Sequence, residues 1–187
     1  MMISLIKQKN LIKNLALNIA DLTTVEYPRS LTSLKLSLLK FSGINLQAPL
    51  FIDRGFKCLN TSNIFIEQFV SMGHDNHIWA FAPVKIGRYT QTAKDLLIIA
   101  GSHDVASFES LPNQDVTIGA GCWIGARVTI LGGVNIGKGC VIGACSLVRS
   151  DIPDWSVAVG VPARVIRQRI PAEKIVSPFG TYSPGDI

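Results

Sequence analysis

Aliphatic side chains return at every sixth position through the second half of the chain, where Ile118, Ile124, Ile130, Ile136, Ile142 and Val148 keep the step without a break. Six suits neither the 3.6-residue turn of a helix nor the alternation of a long strand, but it fits a short strand followed by a sharp corner. Three such units close a triangular coil of 18 residues, which predicts Ile118 over Ile136, Ile124 over Ile142 and Ile130 over Val148 at the ~4.8 Å spacing of paired strands. The aliphatic ladder then forms the core, with Gly119, Gly125, Gly137 and Gly143 at the corners. Upstream, Ile66, Met72 and Ile78 keep the step, a slip of two residues follows near Ala82-Pro83, and Ile86, Thr92 and Ile98 resume it. The register breaks again between Ser102 and Val116, predicting a loop that projects from one corner.

The predicted fold is therefore an all-β solenoid, a parallel β-helix with a short N-terminal helical segment and an extended C-terminal tail. Residues 1–50 are assigned to the helical cap, with a short helix at 30–41 carrying a serine N-cap candidate. Residues 51–167 form the β-helix, with the projecting loop at about 103–115. Residues 168–187, with Pro171, Pro178 and Pro184, form the tail, an extended or partly disordered arm.

Composition narrows the function classes. Hydrophobic residues make up 48% and charged residues 17%, enough apolar material for a large core and too much for a disordered chain. The net charge is +5, but the basic residues fall in small groups (Lys7, Lys9 and Lys13; Arg164, Arg167 and Arg169; the lone Arg149) rather than in a run that would track nucleic acid. The first twenty residues are too short and too polar to span a bilayer. Ile12, Leu15, Ile19 and Leu22 keep a helical spacing, so this segment packs on the body or lies on a membrane surface. Cys58, Cys122, Cys140 and Cys145 lack zinc-site spacing and accompany no secretory signal, as reduced cytoplasmic thiols would. Cys122 and Cys140 are predicted stacking neighbours, within disulfide reach but expected to be two small core thiols.

Several side chains could carry chemistry. His103, in GSHD at the start of the projecting loop, is either a surface imidazole held by a local hydrogen bond or a base. Asp104 either orients it or caps the loop. His74, Asp75, Asn76 and His77 in SMGHDNHIWA are polar groups for a ligand or a solvated corner. Trp123 offers a flat apolar surface to a ligand or to a neighbouring subunit. Gly125, Ala126, Gly143 and Ala144 either present open amides to an amide-bearing ligand or satisfy tight corners. Arg149, Arg164 and Arg167 are phosphate contacts or ordinary solvated charges.

Two stretches, APVKIGRYTQTAKDLLIIAGSHDV and VTIGAGCWIGARVTILGGVNIGKGCVIGACSLVRSDIPDWSVAVGVPARVIR, make the chain resemble the hexapeptide-repeat, left-handed β-helix acyltransferases over roughly residues 64–167. The likeness is to their sugar O-acetyltransferase branch, with the colanic acid, nodulation and maltose acetyltransferases. Left-handed winding follows from this resemblance alone. The resemblance implies an acetyl-CoA-dependent O-acetyltransferase acting on a saccharide hydroxyl, in surface polysaccharide biosynthesis, with His103 as general base. Alcohols are poor nucleophiles at neutral pH, and acetyl transfer needs a base to take the hydroxyl proton. It further implies acceptor contacts from Asp75, Asn76, Asp104 and Trp123. Acetyl-CoA contacts fall to Gly125, Ala126, Gly143, Ala144, Arg149, Arg164 and Arg167. A homotrimer with active sites between subunits and a cytoplasmic location complete the expectation. The GHDNH string departs from the usual pattern and leaves the acceptor's identity open. Three histidines also bring γ-class carbonic anhydrases to mind, but gaps of 3 and 26 between them do not match a ligand pair five apart, and no metal is expected. An amino-sugar, serine or xenobiotic acetyltransferase, or a non-catalytic β-helix scaffold, would share the repeat.

Overall fold

The computed structural model describes residues 11–17, 19, 29–112 and 114–187. Leu22, Lys7 and Lys9 lie outside these. The coils stack as the repeat dictates: Ile118 pairs with Ile136, Ile124 with Ile142 and Ile130 with Val148, all in parallel register. Three sheets result. Face A is built from Asn45–Leu46, Ile64–Ile66, Val84–Ile86, Val116–Ile118 and Asn135–Ile136. Face B runs from Phe51–Ile52 through Ser71–Met72, Gln91–Thr92, Trp123–Ile124 and Val141–Ile142 to Ser156–Gly160, and ends on the antiparallel strand Ala163–Gln168. Face C holds Lys57–Leu59, His77–Trp79, Leu97–Ile99, Thr129–Leu131 and Leu147–Val148. The inward column of each face is buried except for half-buried Cys58, so the core is largely a ladder of isoleucines with Met72 and Thr92 as rungs.

The first coil begins at Asn45, inside the region assigned to the cap. Leu46 stacks on Ile66 and Ile66 on Ile86, a step of 20 residues rather than 18. The two extra residues per turn sit at the corner between faces C and A, where Thr61–Asn63 winds a 3-10 turn in the first coil and Ala80 to Pro83 bends in the second. The helix Arg29–Phe41 covers the open end of this coil, burying Leu39 and sending Lys35 Nζ to the Asp53 carbonyl at 2.7 Å. Ser30, the N-cap candidate, falls within the bounds of that helix.

The tail is extended but not free. Ile175–Ser177 and Gly180–Tyr182 form a hairpin laid along the corner between faces A and B. There Tyr182 stacks on Tyr89 at 4.4 Å and Tyr89 on Phe69 at 4.8 Å. Arg169 leads the chain into this position, donating to the carbonyls of Gly139 at 2.7 Å and Gly121 at 3.3 Å while lying over the Trp155 ring. Gly139 takes a φ of +67°, and the Trp155 ring fills the space a Cβ would need.

All four cysteines are free. Cys122 and Cys140 are neighbours at the same corner, both buried, with thiols directed at the Gly137 and Pro153 carbonyls. Their mutual hydrogen bond, with burial, raises the Cys122 thiol well above the ordinary range, while the same bond lowers Cys140. Burial pushes Cys58 up to about 12. A thiol reagent is therefore expected to label Cys145, the one exposed cysteine, in the native chain, and the other three only after unfolding. Rapid labelling at Cys122 or Cys140 in a peptide map would contradict this packing.

Candidate active site

The loop after Leu97–Ile99 leaves the corner between faces C and A and folds on itself as a short antiparallel turn, with His103 bridging to Ser110. Leu111 N donates to Ser102 O at 3.0 Å, and Asp104 N to Glu109 O at 2.8 Å. Asp104 caps this turn. Its Oδ1 accepts from the Ser107 and Ala106 amides, both at 2.9 Å, and from the Ser107 hydroxyl at 3.1 Å, and these bonds, the Ser107 amide foremost, hold its carboxyl below the ordinary range. The orienting partner of His103 is instead the Phe108 carbonyl, 2.9 Å from Nδ1. A carbonyl oxygen only accepts, so the neutral imidazole carries its proton on Nδ1 and presents a lone pair on Nε2. That is the tautomer a general base needs.

His103 lines a cleft of about 580 Å³ with Trp79, Phe81, Ile99, Leu111 and Gln114. Neither aromatic was a site candidate in the sequence reading. Trp79 follows the inward Ile78 and so projects outward from face C, an alternation that would have exposed it as a wall residue. Phe81 lies across Gly101, where a Cβ would meet the ring at 2.9 Å.

The remaining candidates divide between places. Asp75 is exposed at the corner between faces B and C, at φ +57°. Beside it His74 Nε2 contacts Asp53 Oδ2 at 2.9 Å. Asn76, next in sequence, points the other way. It is fully buried, donating from Nδ2 to Thr92 Oγ1 at 2.6 Å and accepting from Leu96 N at 2.8 Å. Its side chain is spent on the core and is not offered to an acceptor. Trp123 is exposed on face B, in register with Val141, Val157 and Arg167, which places Arg167 three strands, or about 14 Å, from the indole. Arg164 shares that edge strand, and its Nη1 bonds the Ala163 carbonyl at 2.9 Å. Arg149 follows Leu147–Val148 at the opposite corner, away from both.

Gly125 and Gly143 do not present open amides. Gly125 N donates to Ile142 O at 2.8 Å and Gly143 N to Ala158 O at 2.9 Å, within the ladder between coils. A Cβ on Gly125 would come within 2.6 Å of Ala144 N, so coil stacking itself demands the glycine. Ala126 and Ala144 line the adjacent corner, Ala144 exposed and Ala126 half-buried. Within one chain, face C separates His103 from Asp75, Ala126 and Ala144. Among the described residues no three histidine, cysteine or acidic side chains gather to hold a metal ion.

A family model described as bacterial transferase hexapeptide (six repeats) matches residues 115–150. Over 107 residues the chain is 38% identical to a protein of Mycobacterium tuberculosis described as an acetyltransferase, covering 54% of this chain and 35% of that one, so it spans about a third of that relative's length. Over 147 residues it is 29% identical to WcaF of Escherichia coli K12, described as a colanic acid biosynthesis acetyltransferase, covering 78% of this chain and 81% of that one. Among solved structures, a maltose O-acetyltransferase from Clostridium difficile 630 superposes with a TM-score of 0.76 at 24% identity, covering 89% of each chain. A hexapeptide-repeat acetyltransferase of Vibrio cholerae O1 biovar eltor, solved with acetyl coenzyme A, superposes with a TM-score of 0.59 at 21% identity, covering 89% of this chain and 90% of that one. At these identities the two structures speak to the fold.

Proposed function

We propose that the chain is a hexapeptide-repeat acyltransferase, a cytoplasmic, acetyl-CoA-dependent O-acetyltransferase acting on a saccharide hydroxyl in surface polysaccharide biosynthesis; its matches to the hexapeptide transferase model and to the colanic acid acetyltransferase support this reading. The observation that carries this reading is the His103 imidazole, fixed by the Phe108 carbonyl with Nε2 open in an aromatic-walled cleft. Nε2 takes the proton of the acceptor hydroxyl as that oxygen attacks the thioester carbonyl. The tetrahedral adduct collapses, the C–S bond breaks, and the imidazolium returns its proton to the departing CoA thiolate. The acetyl group passes directly to the acceptor, since among the described residues no serine or cysteine side chain stands paired with His103 as a nucleophile. Trp79 and Phe81 offer apolar faces of the kind that pack on a sugar ring.

The active enzyme is proposed to be a homotrimer. The outward column Leu59, Trp79, Ile99 and Leu131 makes face C apolar, and packing it about a threefold axis sets the His103 corner of one copy beside the Asp75, Ala126 and Ala144 corner of the next. Acetyl-CoA then lies along that groove, with Trp123 beside its pantetheine arm and Arg164 and Arg167 at its phosphates. Arg149, at the other corner, is free to meet a phosphate from the neighbouring copy. The similarity to acetyltransferases of two bacteria supports this reading.

Titration calorimetry with acetyl-CoA tests it without a guess about the acceptor. Micromolar binding is expected, weakened about tenfold in an Arg164→Ala/Arg167→Ala variant and by added salt. An absence of binding by the unmodified chain would remove the acetyl-CoA assignment and favour a scaffold.

A further inference from the structure

The net charge of the chain is not spread over it. Eight lysines and arginines against three acidic residues fall in residues 1–60, and ten against ten in the rest, so the entire +5 belongs to the end that carries the helical cap. The same end exposes apolar side chains. Residues 11–17 and 19 are helical, with Ala16 buried and Leu17 half-buried against the core. The stripe formed by Leu11, Leu15 and Ile19 at helical spacing, with Ile12 alongside, faces away from the body, Leu11 being 70% exposed. Of the two placements the sequence left open for this segment, on the body or on a membrane surface, the body takes only two small contacts, and the larger aliphatic residues point outward. Nearby, Phe41 is 63% exposed at the end of Arg29–Phe41, beside exposed Lys40. The Lys13 ammonium closes on the same turn, 3.4 Å from where a Cβ on Gly43 would sit. Lys13, Lys40 and Phe41 therefore gather around one point on the cap.

We propose that this cap docks the protein on an anionic lipid bilayer, with the Leu11, Ile12, Leu15, Ile19 and Phe41 side chains entering the headgroup boundary and the lysines pairing with lipid charge. A stripe of four aliphatic residues flanked by cations is the pattern of a helix lying in the interface plane. No helix among the described residues is long and apolar enough to cross a membrane, so the contact is with a surface. Charge selects the occupant: another copy of the chain would bring the same excess of cations to the contact, whereas an anionic bilayer neutralises it. The proposal is independent of the acetyl-transfer reading, because the cap contributes nothing to the His103 cleft.

Vesicle flotation of the full chain tests it, using phosphatidylcholine alone and phosphatidylcholine mixed with phosphatidylglycerol. The chain is expected to float with the mixed vesicles, to be released by high salt, and to stay behind with the neutral ones. A Leu11→Asp/Leu15→Asp variant is expected to lose at least about tenfold in vesicle affinity, with CoA binding and sedimentation unchanged. A Lys13→Glu/Lys40→Glu variant is expected to lose binding with the apolar stripe intact. Failure to float with mixed vesicles at low salt would overturn the proposal, as would equal binding to neutral vesicles. Loss of the oligomer in the Leu11→Asp/Leu15→Asp variant would overturn it too, identifying the stripe as a contact between subunits.

Discussion

Replacement of His103 by alanine is expected to reduce kcat for acetyl transfer by about 10²–10⁴-fold, the usual contribution of a general base, and to leave acetyl-CoA affinity within about twofold. The separation follows from the architecture. His103 stands on the projecting loop at the corner of faces C and A, whereas Trp123 and Arg167 share a column on face B. Steady-state kinetics of acetyl transfer beside calorimetry of the same preparation decides it. A variant that loses affinity and turnover together would make His103 a ligand contact rather than a base, and a variant with full turnover would move the base elsewhere.

The second large effect is expected on stability. Replacing Asn76 by alanine strands the Leu96 amide and the Thr92 hydroxyl in the core, each having the Asn76 amide as its hydrogen-bond partner. Two buried polar groups left without partners cost about 2–4 kcal/mol together, so urea or thermal unfolding should show a clear loss with little change in KM for an acceptor. The opposite result, unchanged stability with a raised KM, would return Asn76 to the role in acceptor binding that its sequence neighbourhood suggested.

Asn76 also illustrates what a sequence conceals. Its neighbour Asp75 turns outward and it turns inward, and the difference is set by a corner residue at positive φ, which no local pattern of polar residues announces. The six-residue ladder was legible because each coil repeats the same demand, one inward aliphatic side chain per strand. Leu46 and Ile52 obey it as well, with Cys58 in the third place, and would have extended the solenoid to Asn45. His103 was legible as a loop residue at a coil end, but its partner was not, because a backbone carbonyl five residues away leaves no mark in side-chain identity. The tail's extension was legible, but its anchor was not, for a related reason. Its prolines speak of extension, while what fastens it is Tyr182 meeting Tyr89, two rings separated by half the chain. Gly125 and Gly143 stood between two readings because small residues suit a ligand groove and a stacked coil equally, and only the ladder partners decide.

A parallel solenoid has no intrinsic length, since its last strand offers the same row of unpaired groups as its first and would accept another coil from any chain that came near. In face B that invitation is withdrawn by Ala163–Gln168, which turns back antiparallel on Ser156–Gly160 with a shift of register and carries Arg164 and Arg167 along the outermost rim. Charged side chains on a rim are a common defence against end-to-end fibre growth. The two arginines proposed to greet the phosphates of one small molecule therefore also stand on the strand where a further coil of another molecule would have to add.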